Sequence, residues 1–283
     1  MKIDHSKIRS LCEEIKLPDE VIDQIVTIIP DIDFSIIEED FHKLFSLETG
    51  DEAYKNIAQK LKENAFSLKP LAVYLAAALK TWEIYEKLGI PRIIYADTMK
   101  MFARFVNEHL ETYHFYGFDR DFWIYRILSA SLFRLGTLEF EMKKCAENDR
   151  LEGYAAEGDK IISVHIPSDA VMTRENLDKS YKISDDFFKK YFPEYGGKII
   201  HCRTWLLDPA LKNLLPEKSK IINFQSDYKI INTSPEESEF IMWVYKKKYD
   251  NYELLPEDTT LQRNMKKHLL SGGKISLATG VKI

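Results

Sequence analysis

Apolar residues recur at three- and four-residue spacing up to about residue 135, as in Ile22, Ile25, Val26 and Ile29, or in Leu71, Tyr74, Leu75, Ala78, Leu79 and Trp82. That is the period of one face of an α-helix, so this half of the chain is expected to be helical. Pro18, Pro30, Pro70 and Pro91 fall where the pattern restarts, positions that suit a first helical turn or an interhelical link.

The period then shortens to two. In TLEFEMKKC (137–145), Leu138, Phe140 and Met142 alternate with Glu139, Glu141 and Lys143, which predicts a half-buried strand. A polar stretch with two glycines leads to KIISVHIP (160–167), a second strand ending at Pro167 and expected to pair antiparallel with the first. Thr173 is placed to cap a helix whose Leu177, Tyr181, Ser184, Phe188 and Tyr191 share one face, and Gly196 and Gly197 end it. KIIHCRTWLL (198–207) reads as a strand, PALKNLLP as a short helix and KIINFQSDYKII (220–231) as another strand. SPEESEFIMWVYKK (234–247) opens with serine, proline and acids, as a capped helix does. In the last helix Thr259 and Gln262 have capping-box spacing, Leu261, Met265 and Leu269 form the apolar stripe, and Gly272 and Gly273 offer a left-handed stop. KISLATGVKI (274–283) is expected to form a final strand.

Composition narrows the picture. The 283 residues are 45% apolar and 30% charged, enough for two domains with ordinary cores. A net charge of -5 argues against a general nucleic-acid binder, because neutralising phosphates takes a clustered basic surface. Cys12, Cys145 and Cys202 are odd in number and far apart, which fits a reducing compartment and no disulfide framework. The amino terminus lacks a signal-peptide core and LAVYLAAAL is too short to span a bilayer, so a cytoplasmic protein without a membrane partner is expected. His109 and His114 are five residues apart, not the four of a helical zinc pair, and no metal is expected.

The strands carry the candidate chemistry. Ser163 and His165 on one, His201, Arg203 and Trp205 on the next, and Asn223, Gln225 and Asp227 on the third form polar rows opposite apolar ones. A half-buried sheet alternates in this way without any ligand. Histidine, arginine, tryptophan and amides are also the residues that orient one, which makes His201, Asn223 and Gln225 candidate substrate contacts. Cys202 points away from His201 on a regular strand, so a cysteine–histidine nucleophilic pair is disfavoured and a core role expected. Gln262 and Arg263 serve equally as a capping glutamine with a surface arginine or as polar groups at the groove.

Four segments, FRLGTLEFEM (133–142), VHIPSDAVMT (164–173), CRTWLLDPALKNLLP (202–216) and LPEDTTLQRNMKKHLLSGG (255–273), occur in an order and spacing that resemble a bacterial two-part acyltransferase-domain family. The resemblance implies an α+β protein, with a helical N-terminal domain (1–135) packed on a GNAT-like mixed β-sheet C-terminal domain (136–283). It also implies acyl transfer from acetyl-CoA or another acyl-CoA to a small-molecule acceptor. Carried over by position, His165 becomes the catalytic base, and Ser168, Asp169 and Ala170 offer backbone amides to the pyrophosphate. Arg203 and Trp205 would meet phosphate and ring, with Gln262 and Arg263 as further cofactor contacts. The chain departs from the family pattern twice. PSDAVMT lacks the glycines of the usual pyrophosphate loop, and Arg203 stands where relatives are expected to carry histidine. The alternatives are a GNAT-like fold that binds a small molecule without turnover and a thiol-dependent hydrolase built on Cys202. The sequence carries no signal for oligomeric state.

Overall fold

The structure, a computed structural model, describes residues 5–62, 66–235 and 239–283. The chain forms two compact units, one running to Arg134 and one beginning at Leu135. The first contains helices α1 (His5–Glu14), α2 (Asp19–Ile28), α3 (Glu38–Lys43), α4 (Gly50–Lys60), α5 (Leu68–Leu88), α6 (Arg92–Met99), α7 (Met101–Tyr113) and α8 (Ile124–Leu128). The long α5 is buried on every side from Leu71 to Ala78, a little over two turns, which is why those residues read as almost continuously apolar. α1 and α2 both pack on α5. Ser67 caps α5, and Gly89, with φ +69°, ends it in the left-handed conformation that glycine adopts without strain.

The second unit is built on a mixed sheet. Its strands are β1 (Leu132–Leu135), β2 (Leu138–Lys144), β3 (Lys160–His165), β4 (Ile200–Thr204), β5 (Tyr228–Ser234) and β6 (Leu277–Lys282), in the order β1-β2-β3-β4-β6-β5. β2 pairs antiparallel with β3 as the alternation predicted, β3 runs parallel to β4, and β6 lies antiparallel between β4 and β5. The helices are α9 (Arg174–Tyr191), α10 (Leu211–Leu214), α11 (Lys220–Gln225), α12 (Phe240–Val244) and α13 (Thr260–Leu270). α9 starts where Thr173 Oγ1 accepts from Asn176 N, and it lays Tyr181 against Phe140 and against the Tyr228 hydroxyl on one face of the sheet.

Several expectations from the sequence need correction. Residues 220–231 are not one strand: Ser219 caps α11 by accepting from Ile221 N, and the chain becomes extended only at Tyr228. The apolar positions Ile221, Ile222 and Phe224 had spacing compatible with either period, and packing chose the helix over the β preference of paired isoleucines. β4 stops at Thr204, whose Oγ1 accepts from Leu206 N and turns Trp205–Leu207 into a 3₁₀ turn, so Trp205 is not on the strand. Of the helix expected from residue 234, the described residues form Phe240–Val244, and Ser234 ends β5. The acids Glu236 and Glu237, expected in that helix's first turn, lie outside the described residues.

Candidate active site

Residues paired across strands share a face of the sheet. Glu139 lies opposite His165, Glu141 opposite Ser163, Ser163 opposite His201, and His201 opposite Val281. One face therefore carries Glu139 and Glu141 from β2, Ser163 and His165 from β3, and His201 and Arg203 from β4. The other carries Phe140, Val164 and Cys202 beneath α9. The predicted polar rows of β3 and β4 do share a face, and the row completing it comes from β2, not from residues 220–231.

This polar face is buried. Glu139 is 3% exposed, Glu141 6% and His201 1%. Part of the cover is the segment after β2, where Lys143 pairs with Asp149 at 2.7 Å, Asp149 Oδ2 accepts from Ala146 N, and Cys145 and Leu151 pack on Ile161 and Val281. Glu139 and Glu141 were legible as a polar row. A period of two says which residues share a face, not whether that face is wet.

His165 ends β3. Its imidazole is 24% exposed, and its Nε2 lies 2.8 Å from Glu141 Oε2. β3 and β4 share only two residue pairs, Ile162 with Ile200 and Ser163 with His201. Beyond them β3 runs on to His165 paired with β2, and β4 runs on to Thr204 paired with β6, so the β3–β4 ladder has already ended where His165 lies.

His201 is the most enclosed polar group here. Neither ring nitrogen has a hydrogen-bond partner among the described residues. Burial pushes its pKa down to about 4; Asp149 and Glu141 work against this, and Lys143 and His165 add to it. An imidazole so held is neutral at physiological pH. At this burial His201 forms part of the wall as placed.

The remaining candidates separate. Gln225 is buried on α11, its Nε2 donating to Leu206 O and Asp208 O, so its amide holds the fold and is not a substrate contact. Gln262 caps α13, Oε1 accepting from Thr259 N and Nε2 donating to Val244 O. Arg263 donates to the carbonyls of Glu257 and Asp258 and to Thr260 Oγ1. As placed, both side chains make local hydrogen bonds at the start of α13. Trp205 packs on the apolar cluster around Leu211, Met265 and Leu269. Arg203 stays half-buried on the polar face, opposite Thr279.

The loop between β3 and α9 also differs in detail. Ala170 N is closed into a turn on Pro167 O, and Val171 N donates to Thr137 Oγ1. Ala170 therefore offers no amide to a phosphate, and Ser168 and Asp169 sit in the exposed turn before it. The amides without an intrahelical partner are those of Arg174 and Glu175, the first two positions of the 18-residue α9. Beside them lies a cavity of about 400 Å³ lined by Thr173, Arg174, Lys218, Lys220 and Asn223. Asn223, expected as a substrate contact on a strand, is instead a wall of this cavity. The Arg174 guanidinium is held bidentate by Asp227 and also by Asp178, and the other charged groups lining the cavity are the exposed Lys218 and Lys220 together with Glu217.

Cys202 is fully buried on the opposite face, its thiol against Val164 O, and burial pushes its pKa up. A nucleophilic thiol needs the reverse on both counts. Cys202→Ser is expected to keep turnover and to cost about 1–2 kcal/mol of stability. Denaturant unfolding and a turnover assay check this; abolished turnover in a folded variant would restore the thiol reading. Among the described residues no three His, Cys, Asp or Glu side chains come together as a metal site, and no helix is long and apolar enough to cross a membrane.

The sequence pattern of a GNAT-like C-terminal domain matches residues 132–282, and that of an N-acyltransferase N-terminal domain matches residues 6–130. No curated protein sequence matches the chain. Among solved structures, an acyltransferase in complex with decanoyl-CoA and teicoplanin superposes with a TM-score of 0.81 at 21% identity, over 98% of this chain and 87% of that one. An acyltransferase mutant in complex with octanoyl-CoA gives 0.80 at 20% identity, over 99% and 89%. A third, with CoA and 10C-teicoplanin, gives 0.80 at 22% identity, over 97% and 86%. At these identities the likeness establishes a shared fold over nearly the whole length of the chain.

Proposed function

The chain belongs to the family that joins an N-acyltransferase N-terminal domain to a GNAT-like C-terminal domain, and from that premise we propose that it transfers an acyl group from acyl-CoA to an amine on a small-molecule acceptor. One arrangement supports this most. β3 ends in His165 beyond its short ladder with β4, and the next helix begins with two amides that have no partner within the helix, beside a cavity carrying Lys218 and Lys220. Helix-start amides and lysines are the chemistry that holds phosphates, and a parallel ladder that ends early leaves backbone groups for a thioester arm. The donor fits this part of the fold without a glycine-rich loop, because the amides come from α9 itself.

In the reaction His165 takes a proton from the acceptor amine as its nitrogen bonds to the thioester carbonyl carbon. The carbon–sulfur bond then breaks, and CoA leaves as the thiol with that proton. His201 is a neutral wall and Arg203 a cation beyond the end of the ladder. The sheet domain, residues 136–283, holds this chemistry, with the helical domain, residues 1–135, as its separate companion. Three free, buried cysteines suit a reducing compartment, and the cytoplasm is the proposed location.

Decanoyl-CoA and octanoyl-CoA, found in the similar acyltransferases, are the donors to try first, with acetyl-CoA for comparison and teicoplanin as first acceptor. At about 100 times its dissociation constant a donor adds ~2.7 kcal/mol to stability. Calorimetry is expected to show that shift in the parent protein, and to show binding roughly 10-fold weaker or worse in the Lys218→Glu/Lys220→Glu variant. No shift with any acyl-CoA would overturn the donor assignment. The rival reading, a binder without turnover, rests on the glycine-free loop and predicts a shift with no release of free CoA.

A further inference from the structure

Glu141 and His165 belong to different strands and meet along a cross-strand diagonal, since Glu141 lies opposite Ser163 and Glu139 opposite His165. The 2.8 Å between Glu141 Oε2 and His165 Nε2 is a hydrogen-bond distance. A carboxylate has no hydrogen to give, so the imidazole donates. A neutral imidazole has one N–H, and with that hydrogen on Nε2 the lone pair is on Nδ1. Burial is divided the same way: Glu141 is shut into the sheet, while His165 lies part-exposed beyond the end of the β3–β4 ladder. His201, across Ser163, is enclosed by the strands, so the imidazole able to exchange protons with a ligand is that of His165.

We propose that Glu141 is a positioning residue that fixes His165 as the Nε2–H tautomer and leaves Nδ1 as the atom that receives the acceptor's proton. The role of Nδ1 rests on the acyltransferase reading above; the Glu141–His165 pairing does not. In the reaction the amine proton passes to Nδ1 as the new carbon–nitrogen bond forms, and the imidazolium sits against the Glu141 carboxylate until it returns that proton to the departing CoA sulfur. Atoms balance as amine plus thioester giving amide plus thiol.

The pairing is tested first on the protein alone. With ¹⁵N-labelled histidine at pH about 8, NMR is expected to show His165 protonated at Nε2 with a downfield, slowly exchanging Hε2. Glu141→Leu is expected to lose that resonance. Glu141→Gln, whose side-chain oxygen still accepts, is expected to keep the tautomer and to serve as the test should the leucine variant fail to fold. Kinetically, Glu141→Leu is expected to lower kcat roughly 10- to 100-fold with the acyl-CoA dissociation constant within about twofold of the parent, and Glu141→Gln to recover part of the loss. A proton on Nδ1 in the parent protein, or a kcat unmoved by Glu141→Leu, overturns the proposal. Absence of acyl transfer by the parent would sink the acyltransferase reading instead, and the NMR result would still decide the pairing.

Discussion

Replacing His165 with alanine is expected to lower the rate of acyl transfer about 100-fold while leaving acyl-CoA binding within a few-fold of the parent, the signature of a lost general base. The expectation follows from where β3 ends. His165 is held through Nε2 by Glu141 and stands beyond the end of the β3–β4 ladder, about 24% exposed in its side chain. The phosphate groups of the donor are assigned to the start of α9 and to Lys218 and Lys220, which the substitution does not touch. Stopped-flow release of free CoA gives the rate and calorimetry gives the affinity. Unchanged turnover would remove His165 from the reaction. A loss confined to donor affinity would make it a binding residue and move the base elsewhere.

The second large effect is on stability against pH, and it belongs to His201. In the unfolded chain its imidazole protonates near 6.5, whereas in the folded sheet burial holds that value down to about 4. Between those values the unfolded chain binds more protons than the folded one, so acid draws the equilibrium toward unfolding. Stability contributed by the neutral imidazole is complete above about pH 6.5, falls as pH drops toward 4, and levels off below it. The full difference is on the order of 3 kcal/mol. Carboxylates also titrate at the acid end, so the measurement is a comparison. Guanidinium unfolding of the parent and of His201→Leu at several pH values is expected to show a steeper acid fall in the parent. Near pH 8 the leucine variant is expected to be at least as stable, because neither imidazole nitrogen has a hydrogen-bond partner among the described residues and a buried polar group without one is costly. Parallel curves would show that His201 is not held neutral by burial.

Both predictions concern residues that alternation places on polar rows, although the role of His165 as base comes from the family resemblance; placing a residue on a face is the reach of a local pattern. Ser163 and His165 were rightly placed together on β3, as were His201 and Arg203 on β4, because a strand sets its own faces. Their strongest neighbours, Glu139 and Glu141, stood in the same kind of row and passed for a wet surface. Spacing alone balances Gln262 between a cap and a contact, and the structure gives its amide to Thr259 and Val244.

By itself the sequence determined the change from a helical to a mixed half near residue 135, the strands β2 and β3, and the caps at Thr173 and Thr259. Each depends on hydrogen bonds or side-chain alternation within a few residues, which the chain carries wherever it goes. Only the tertiary structure decided that 220–225 coils while 228–234 extends, that Trp205 leaves its strand, and that the acidic face of β2 is covered. Those outcomes turn on which surfaces meet, and an isoleucine or a glutamate has no local means of recording what will be packed against it.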